Sequence, residues 1–221
     1  MEGPAQACSD VNGPIPQTRE RRAWIALAIV AGSVFALLVL DLLLAGPLSA
    51  ADAGVSLWFA HRRVPPITQI LFAVTEWHST IGVLCMAVLT GAALAWRRRW
   101  RLVALLASCV GAGMLLNVGL KLAFQRARPL SDDSLVHLAT FSFPSGHAVA
   151  ATVWWGFVVV LVARLQPRFR PAAMAWSMLI IPLVMLSRVY LGAHFLSDVL
   201  AGCAEGLAWL SLCMLTVGRR A

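Results

Sequence analysis

Charge is what this chain has least of. Only 13% of its 221 residues are Asp, Glu, Lys or Arg, and 60% are hydrophobic. So small a polar complement cannot coat a soluble domain of this size, and the mean hydropathy of +0.79 agrees. An integral membrane protein is the class that remains. Acidic residues are the scarcer sign, 10 against 18 basic, for a net charge of +8. The basic residues are dispersed over loops rather than gathered in one stripe, which argues against a nucleic-acid partner. Cysteine is scarce too. Cys8, Cys85, Cys109, Cys203 and Cys213 show no metal-type spacing and no framework of the secreted disulfide kind. Cys8 falls in a polar tail, and the other four read as small apolar core residues. Internal repeats and low-complexity runs are absent.

What the chain has instead is long apolar runs. A bilayer core needs about 20 mostly apolar residues per helix. Six candidates meet that need, at residues 23–45, 79–96, 102–124, 147–165, 172–187 and 195–217. The fold expected is therefore all-α, a polytopic bundle of six transmembrane helices. Residues 1–22, with Gly3, Pro4, Gly13, Pro14 and Pro16, read as a disordered tail before a six-span domain over 23–221. The first apolar run exceeds the roughly 7–15 residues of a cleaved signal, so it reads as a signal anchor. Between the first two spans, 55–61 and 67–74 are expected as short interfacial helices, with Trp58 and Trp77 at headgroup level.

Positive charge sets the orientation. Twelve basic residues fall on one side: Arg19, Arg21 and Arg22, then Arg97, Arg98, Arg99 and Arg101, then Arg164, Arg168 and Arg170, then Arg219 and Arg220. The other side carries six: Arg62, Arg63, Lys121, Arg126, Arg128 and Arg188. Both termini are therefore expected in the cytoplasm.

Three polar islands interrupt the apolar sequence, and all three fall at the opposite, outer face. They are Lys121-x6-Arg128-Pro129, then Pro144-Ser145-Gly146-His147, then Ser187-Arg188-x5-His194-x3-Asp198. Lys121, Arg128 and Arg188 can neutralise a phosphate, and an arginine fork grips its oxygens two at a time. A single such cation would read as a headgroup contact, but three beside two histidines do not. Ser145 and Gly146 precede an apolar helix, where their backbone N–H groups can form an anion site. His194 and Asp198 stand four apart, on one face of a helix. A carboxylate bonded to one imidazole nitrogen fixes the tautomer and sharpens the other as a nucleophile or base. The islands thus suit phosphoryl chemistry.

Their pattern, K-x6-R-P, P-S-G-H and S-R-x5-H-x3-D, resembles the type 2 phosphatidic acid phosphatase superfamily, which includes bacterial lipid phosphatases and vanadium haloperoxidases. Every fixed position is present here. The resemblance implies that His194 attacks phosphorus and forms a phosphohistidine while Asp198 orients it. It implies that His147 protonates the leaving oxygen and then activates water. Lys121, Arg128, Ser145, Gly146 and Arg188 are implied to hold the phosphoryl oxygens. It implies no metal and no other cofactor, the cations serving in their place. His147 must enter the reaction protonated, so a mildly acidic to neutral optimum is expected.

The function expected is that of a lipid phosphatase whose partners are membrane lipids. It would act on the terminal phosphate of a lipid phosphate or pyrophosphate. Undecaprenyl pyrophosphate is favoured, with phosphatidic acid and phosphatidylglycerol phosphate as further candidates. The expected place is a bacterial inner membrane, with the site facing the periplasm or exterior. A lipid phosphotransferase using the same intermediate is one alternative. A channel or transporter lined by Asp198 and Glu205 is another, although broken helices and inverted repeats are not visible.

Other polar residues carry weaker signals. Glu205 lies two helical turns beyond Asp198, where a membrane carboxylate invites a functional reading. Asp41, Glu76, His78 and His61 read as interfacial, and His137, Asp132 and Asp133 as loop residues near the first two islands. Pro182 is expected to kink the fifth span.

Overall fold

The computed structural model describes residues 18–129, 135–136 and 139–216. Among them there are nine α-helices and no strand. The first, α1 (Thr18–Leu43), begins before the expected 23, so Arg19, Arg21 and Arg22 lie on its opening turns. The turn that follows is tight. Ala45 takes a positive φ of 50°, and the Asp41 carboxylate accepts from the backbone N–H groups of Leu48 and Ser49 and from the Ser49 hydroxyl. Asp41 thereby satisfies the open N-terminus of α2 (Pro47–Ala60). Proline at the first helical position starts both α2 and α3 (Pro65–Trp77), where its missing N–H costs nothing.

The connection 46–78 therefore holds two helices of 14 and 13 residues, longer than the short interfacial pieces expected. The second expected span differs as well. α4 (Thr80–Trp96) has 17 residues, and α3 and α4 together pass as one apolar crossing bent by 47°. The bend falls where the Ser79 hydroxyl caps α4 by accepting from the Gly82 N–H. Five further crossings are long and apolar enough, giving six when the bent pair counts as one.

The third crossing combines α5 (Trp100–Leu106), a π-helical stretch at Ala107–Ala112, and α6 (Gly113–Phe124). The π stretch loosens the regular ladder, and the Trp209 indole donates to the Ser108 carbonyl at 2.9 Å. α7 (Gly146–Leu165), α8 (Arg170–Tyr190) and α9 (Leu196–Thr216) complete the bundle. Pro182 lies inside α8, which continues through it as one helix.

α7 is central, packed against α4, α6, α8 and α9. Its Val149, Val153 and Phe157 share one core cluster with Leu105, Leu106, Cys109, Leu210 and Met214. α9 approaches α7 closely because it presents Gly202 and Gly206. A Cβ on Gly202 would stand 2.5 Å from the Ser145 carbonyl oxygen, and one on Gly206 would stand 2.8 Å from the Thr152 Cβ. α1 lies along α9 and leaves Ile29, Val30, Val34, Leu37 and Leu40 exposed, a surface suited to lipid. Among the four cysteines described, Cys109 and Cys213 are buried, Cys203 is half-buried and Cys85 is exposed.

Candidate active site

Alternating helix directions bring the three islands to one end of the bundle. Lys121 is in the last turn of α6, Gly146 and His147 open α7, Arg188 is in the last turn of α8, and Asp198 is in the first turn of α9. α6 stops because Gln125 turns left-handed at φ 47°, and the chain leaves without regular structure through Arg126 and Arg128.

Arg128 is tied down by carbonyls. Its Nε donates to Thr140 O at 2.6 Å and its Nη1 to Ala193 O at 2.6 Å, while Nη2 donates to the Thr140 hydroxyl at 2.9 Å. That fixes Nη1 3.2 Å from Nε2 of His194. A guanidinium can only donate, so this Nε2 carries the lone pair and Nδ1 carries the proton. Nδ1 faces the Ser142 hydroxyl at 3.4 Å and Oδ2 of Asp198 at 3.6 Å. Burial holds the His194 imidazole down to about 3, Arg128 and Lys121 push the same way, and Asp198 opposes them. His194 therefore stays neutral, with its Nε2 lone pair turned towards a fixed cation. Burial also lowers Arg128, opposed by Asp198.

Asp198 is fully buried and closely bound. Its Oδ2 accepts from the Ser142 hydroxyl at 2.5 Å and from the Phe195 N–H at 2.9 Å. The Phe195 bond is the return half of a capping box, in which the third helical residue satisfies the backbone N–H of the cap residue. Its Oδ1 accepts from Arg126 Nη1 at 2.6 Å. Lys121 Nζ donates to the carbonyls of Phe141 at 2.7 Å and Ser142 at 3.3 Å.

Arg188 is 1% exposed and donates once, from Nη1 to the Thr75 hydroxyl at 2.7 Å. Its Nε and Nη2 are buried without a partner among the described residues, as is the Ser145 hydroxyl. Unpaired buried donors are costly, and an anion placed against them removes that cost. Ser145 differs from expectation in one respect. Its backbone N–H is taken by the Asp198 carbonyl at 3.0 Å, so the hydroxyl is its free group. Gly146 and His147 open α7, where backbone N–H groups have no intrahelical acceptor. His147 is half-buried, and it faces the charges of Arg188, Arg128 and Lys121 and the neutral imidazole of His194. Ser187 bonds locally to the Val184 carbonyl at 2.6 Å.

The fold recruits residues that the motifs did not flag. Thr75 comes from α3, Ser142 from the segment before α7, Arg126 from the segment after α6 and Asp52 from α2. Their one legible signal was charge or polarity close to membrane spans. Glu205 accepts from Asn117 Nδ2 at 3.0 Å, and that amide also reaches Pro144 O at 3.4 Å, so the pair lies under the Pro144–Gly146 turn. His78 corrects the interfacial reading. It is 7% exposed, with Nδ1 on Val74 O at 2.8 Å and Nε2 accepting from the Trp155 indole at 3.1 Å. His61 is exposed. His137, Asp132 and Asp133 lie outside the described residues.

Comparison with known proteins identifies the family. Residues 101–221 match the family model of the PAP2 superfamily. The chain is 34% identical over 161 residues to phosphatidylglycerophosphatase B of Bacillus subtilis, covering 72% of this chain and 79% of that one. It is 31% identical over 177 residues to a lipid A 1-phosphatase of Rhizobium etli, covering 69% and 72%. The crystal structure of a transmembrane PAP2-type phosphatidylglycerolphosphate phosphatase from Bacillus subtilis superposes with a TM-score of 0.73 at 28% identity, covering 86% of this chain and 93% of that one. With its apolar crossings and all three motifs gathered at one end of the bundle, the chain belongs to the PAP2 superfamily, among its membrane lipid phosphatases.

Proposed function

We propose that this protein hydrolyses the terminal phosphate of a membrane lipid through a phosphohistidine on His194. The observation that carries the reading is geometric: Nε2 of His194 lies 3.2 Å from Arg128 while Asp198 stands behind the ring, 3.6 Å from Nδ1. Nε2 attacks phosphorus, and the bond from phosphorus to the lipid oxygen breaks. His147 delivers a proton to that oxygen, so the lipid leaves as an alcohol. Water then attacks the phosphohistidine, giving its proton to His147, and the phosphorus–nitrogen bond breaks to release phosphate. Lys121, Arg128 and Arg188, the Ser145 hydroxyl and the Gly146 N–H hold the phosphoryl oxygens while charge develops. Asp198 steadies the imidazole as it becomes cationic. The cations supply the charge stabilisation, and no step calls for a metal.

Phosphatidylglycerol phosphate is the substrate we place first. The similarity to the Bacillus subtilis phosphatase covers most of both chains, and the substrate for which that enzyme is named bears a terminal phosphate on a diacyl lipid. Undecaprenyl pyrophosphate presents a similar terminal group and stands second. The charge bias along the chain supports a site facing away from the cytoplasm, in a bacterial inner membrane. The test is phosphate release by the purified protein in detergent with EDTA. Phosphatidylglycerol phosphate, undecaprenyl pyrophosphate, phosphatidic acid and a soluble phosphate ester are compared. Release from a lipid by the wild type, and none by His194→Ala, is the expected result. Undiminished release by His194→Ala, or a requirement for added metal, refutes the mechanism.

A further inference from the structure

Asp198 does not face His194 alone. Arg126 places Nη1 2.6 Å from Asp198 Oδ1 and Nη2 2.8 Å from Asp52 Oδ2. The same Nη1 lies 2.6 Å from the Ser197 hydroxyl, and the guanidinium stacks 4.4 Å above the Phe195 ring. Asp52 is 1% exposed and comes from α2, more than a hundred residues away in sequence. Its Oδ1 accepts from the Ser197 N–H at 3.0 Å, and its Oδ2 accepts from the Ser197 hydroxyl. Two buried carboxylates thus share one arginine directly behind the histidine.

We propose that Asp52 and Arg126 are positioning residues for the reaction: Arg126 fixes the carboxylate of Asp198, and Asp52 fixes Arg126 and offsets its charge. The proposal rests on the phosphohistidine reading. A lone Arg126 on Asp198 would cancel the negative charge that a cationic imidazole needs. With Asp52 added, the cluster keeps one net negative charge in a buried setting, where charge acts strongly. The two carboxylates occupy different nitrogens of one planar fork, which a lysine could not provide. α2 therefore belongs to the active site although it carries no family motif.

Charge around His194 decides the test. Facing it are Lys121 from α6, Arg128 from the following segment, His147 from α7 and Asp198 from α9, with Arg188 of α8 next to His147. Asp52→Asn keeps an acceptor for the Ser197 N–H but turns an amide towards Arg126. Removing that negative charge disfavours the protonated imidazole, so the acid limb of kcat/KM moves to lower pH. Arg126→Gln removes a positive charge and moves it to higher pH. Shifts of about half a unit to one unit are expected, since an adjacent full charge moves a pKa by about 1–3 units. kcat falls about tenfold in each at little change in KM, because in both the Asp198 carboxylate loses part of what holds its orientation behind His194.

The experiment measures pH profiles with a lipid phosphate substrate, alongside melting temperature. It also traps the phosphoenzyme by rapid quench with phosphorus-32 lipid. Opposite limb shifts in folded variants support the proposal. Should either single variant fail to fold, Asp52→Asn combined with Arg126→Gln removes both charges together; its limb lies close to the wild-type position while its kcat stays about tenfold down, because the hold on Asp198 is gone. Unshifted limbs with wild-type kcat overturn the proposal. So does activity lost only in step with melting temperature, because both residues would then be purely structural. A wild type that yields no acid-labile, alkali-stable phosphoenzyme on His194 sinks the phosphohistidine reading and this proposal with it.

Discussion

Gly202→Ala is the substitution whose consequence the structure fixes most closely. A Cβ there would meet the Ser145 carbonyl oxygen at 2.5 Å, the Ala148 Cβ at 3.0 Å and the Ser145 nitrogen at 3.3 Å. The nearest atom is backbone, so no side chain can swing aside. Restoring a separation of 3.0–3.4 Å from 2.5 Å requires the start of α7 to move 0.5–0.9 Å away from α9. That shift acts on the Ser145 N–H bond to the Asp198 carbonyl, now 3.0 Å, and carries Gly146 and His147 with it. Overpacking of this kind costs about 1–3 kcal/mol of stability. A misplacement approaching 1 Å costs about a hundredfold in rate. The expected result is therefore a modest fall in melting temperature and a fall of about ten- to a hundredfold in kcat. Phosphate release and thermal unfolding in the same detergent measure both. Gly119→Ala on α6 is the control, because nothing lies within 4 Å of its Cβ. It should keep wild-type activity and gain up to about 1 kcal/mol from helix propensity. Wild-type kcat in Gly202→Ala, at unchanged melting temperature, refutes the claim that this close approach sets the site.

Three other expectations follow from the same geometry. Arg188→Lys keeps the charge but loses the fork, so kcat/KM and vanadate affinity should each fall about a hundredfold, measured by initial rates and by inhibition; unchanged vanadate affinity counts against Arg188 as a phosphate ligand. His194 is held near 3 when folded against about 6.5 when unfolded, so it has no effect on stability above pH 6.5. Between pH 6.5 and 3 the unfolded chain takes up a proton that the folded chain refuses, and stability falls by up to about 1.4 kcal/mol per unit; the melting temperature of His194→Gln should fall less steeply than that of the wild type over this window, and parallel curves contradict the assignment. Asn117→Leu strands the Glu205 carboxyl in the core and should lower stability by about 1–3 kcal/mol, whereas Glu205→Gln keeps the bond and should melt close to wild type.

Much of this molecule was legible in the chain. Low charge and long apolar runs require helices, because a bilayer offers backbone groups no hydrogen-bond partner. The three motifs sit at helix ends, and alternating crossings bring those ends to one face, so their convergence could be read before any coordinates. The span boundaries were less legible where proline intervened. Pro47 and Pro65 start full helices in a stretch read as mostly connection, and the second crossing is bent at Ser79. His78 read as interfacial because it stands beside Glu76 and Trp77. Only packing against Trp155 buries it.

The sequence by itself determined the membrane class and the all-helical bundle, and it set His194, His147, Asp198, Lys121, Arg128, Ser145, Gly146 and Arg188 in three motifs at helix ends. The first two rest on composition and long apolar runs, and the roles expected of the motif residues rest on the family resemblance. Tertiary structure alone decided which nitrogen of His194 faces Arg128, which group of Ser145 is free, and that Thr75 bonds Arg188 while Arg126 bridges Asp52 and Asp198. The physical reason is partnership across distance. A buried charge must find its counter-charge wherever the packed helices deliver one, and spacing along the chain does not record that meeting.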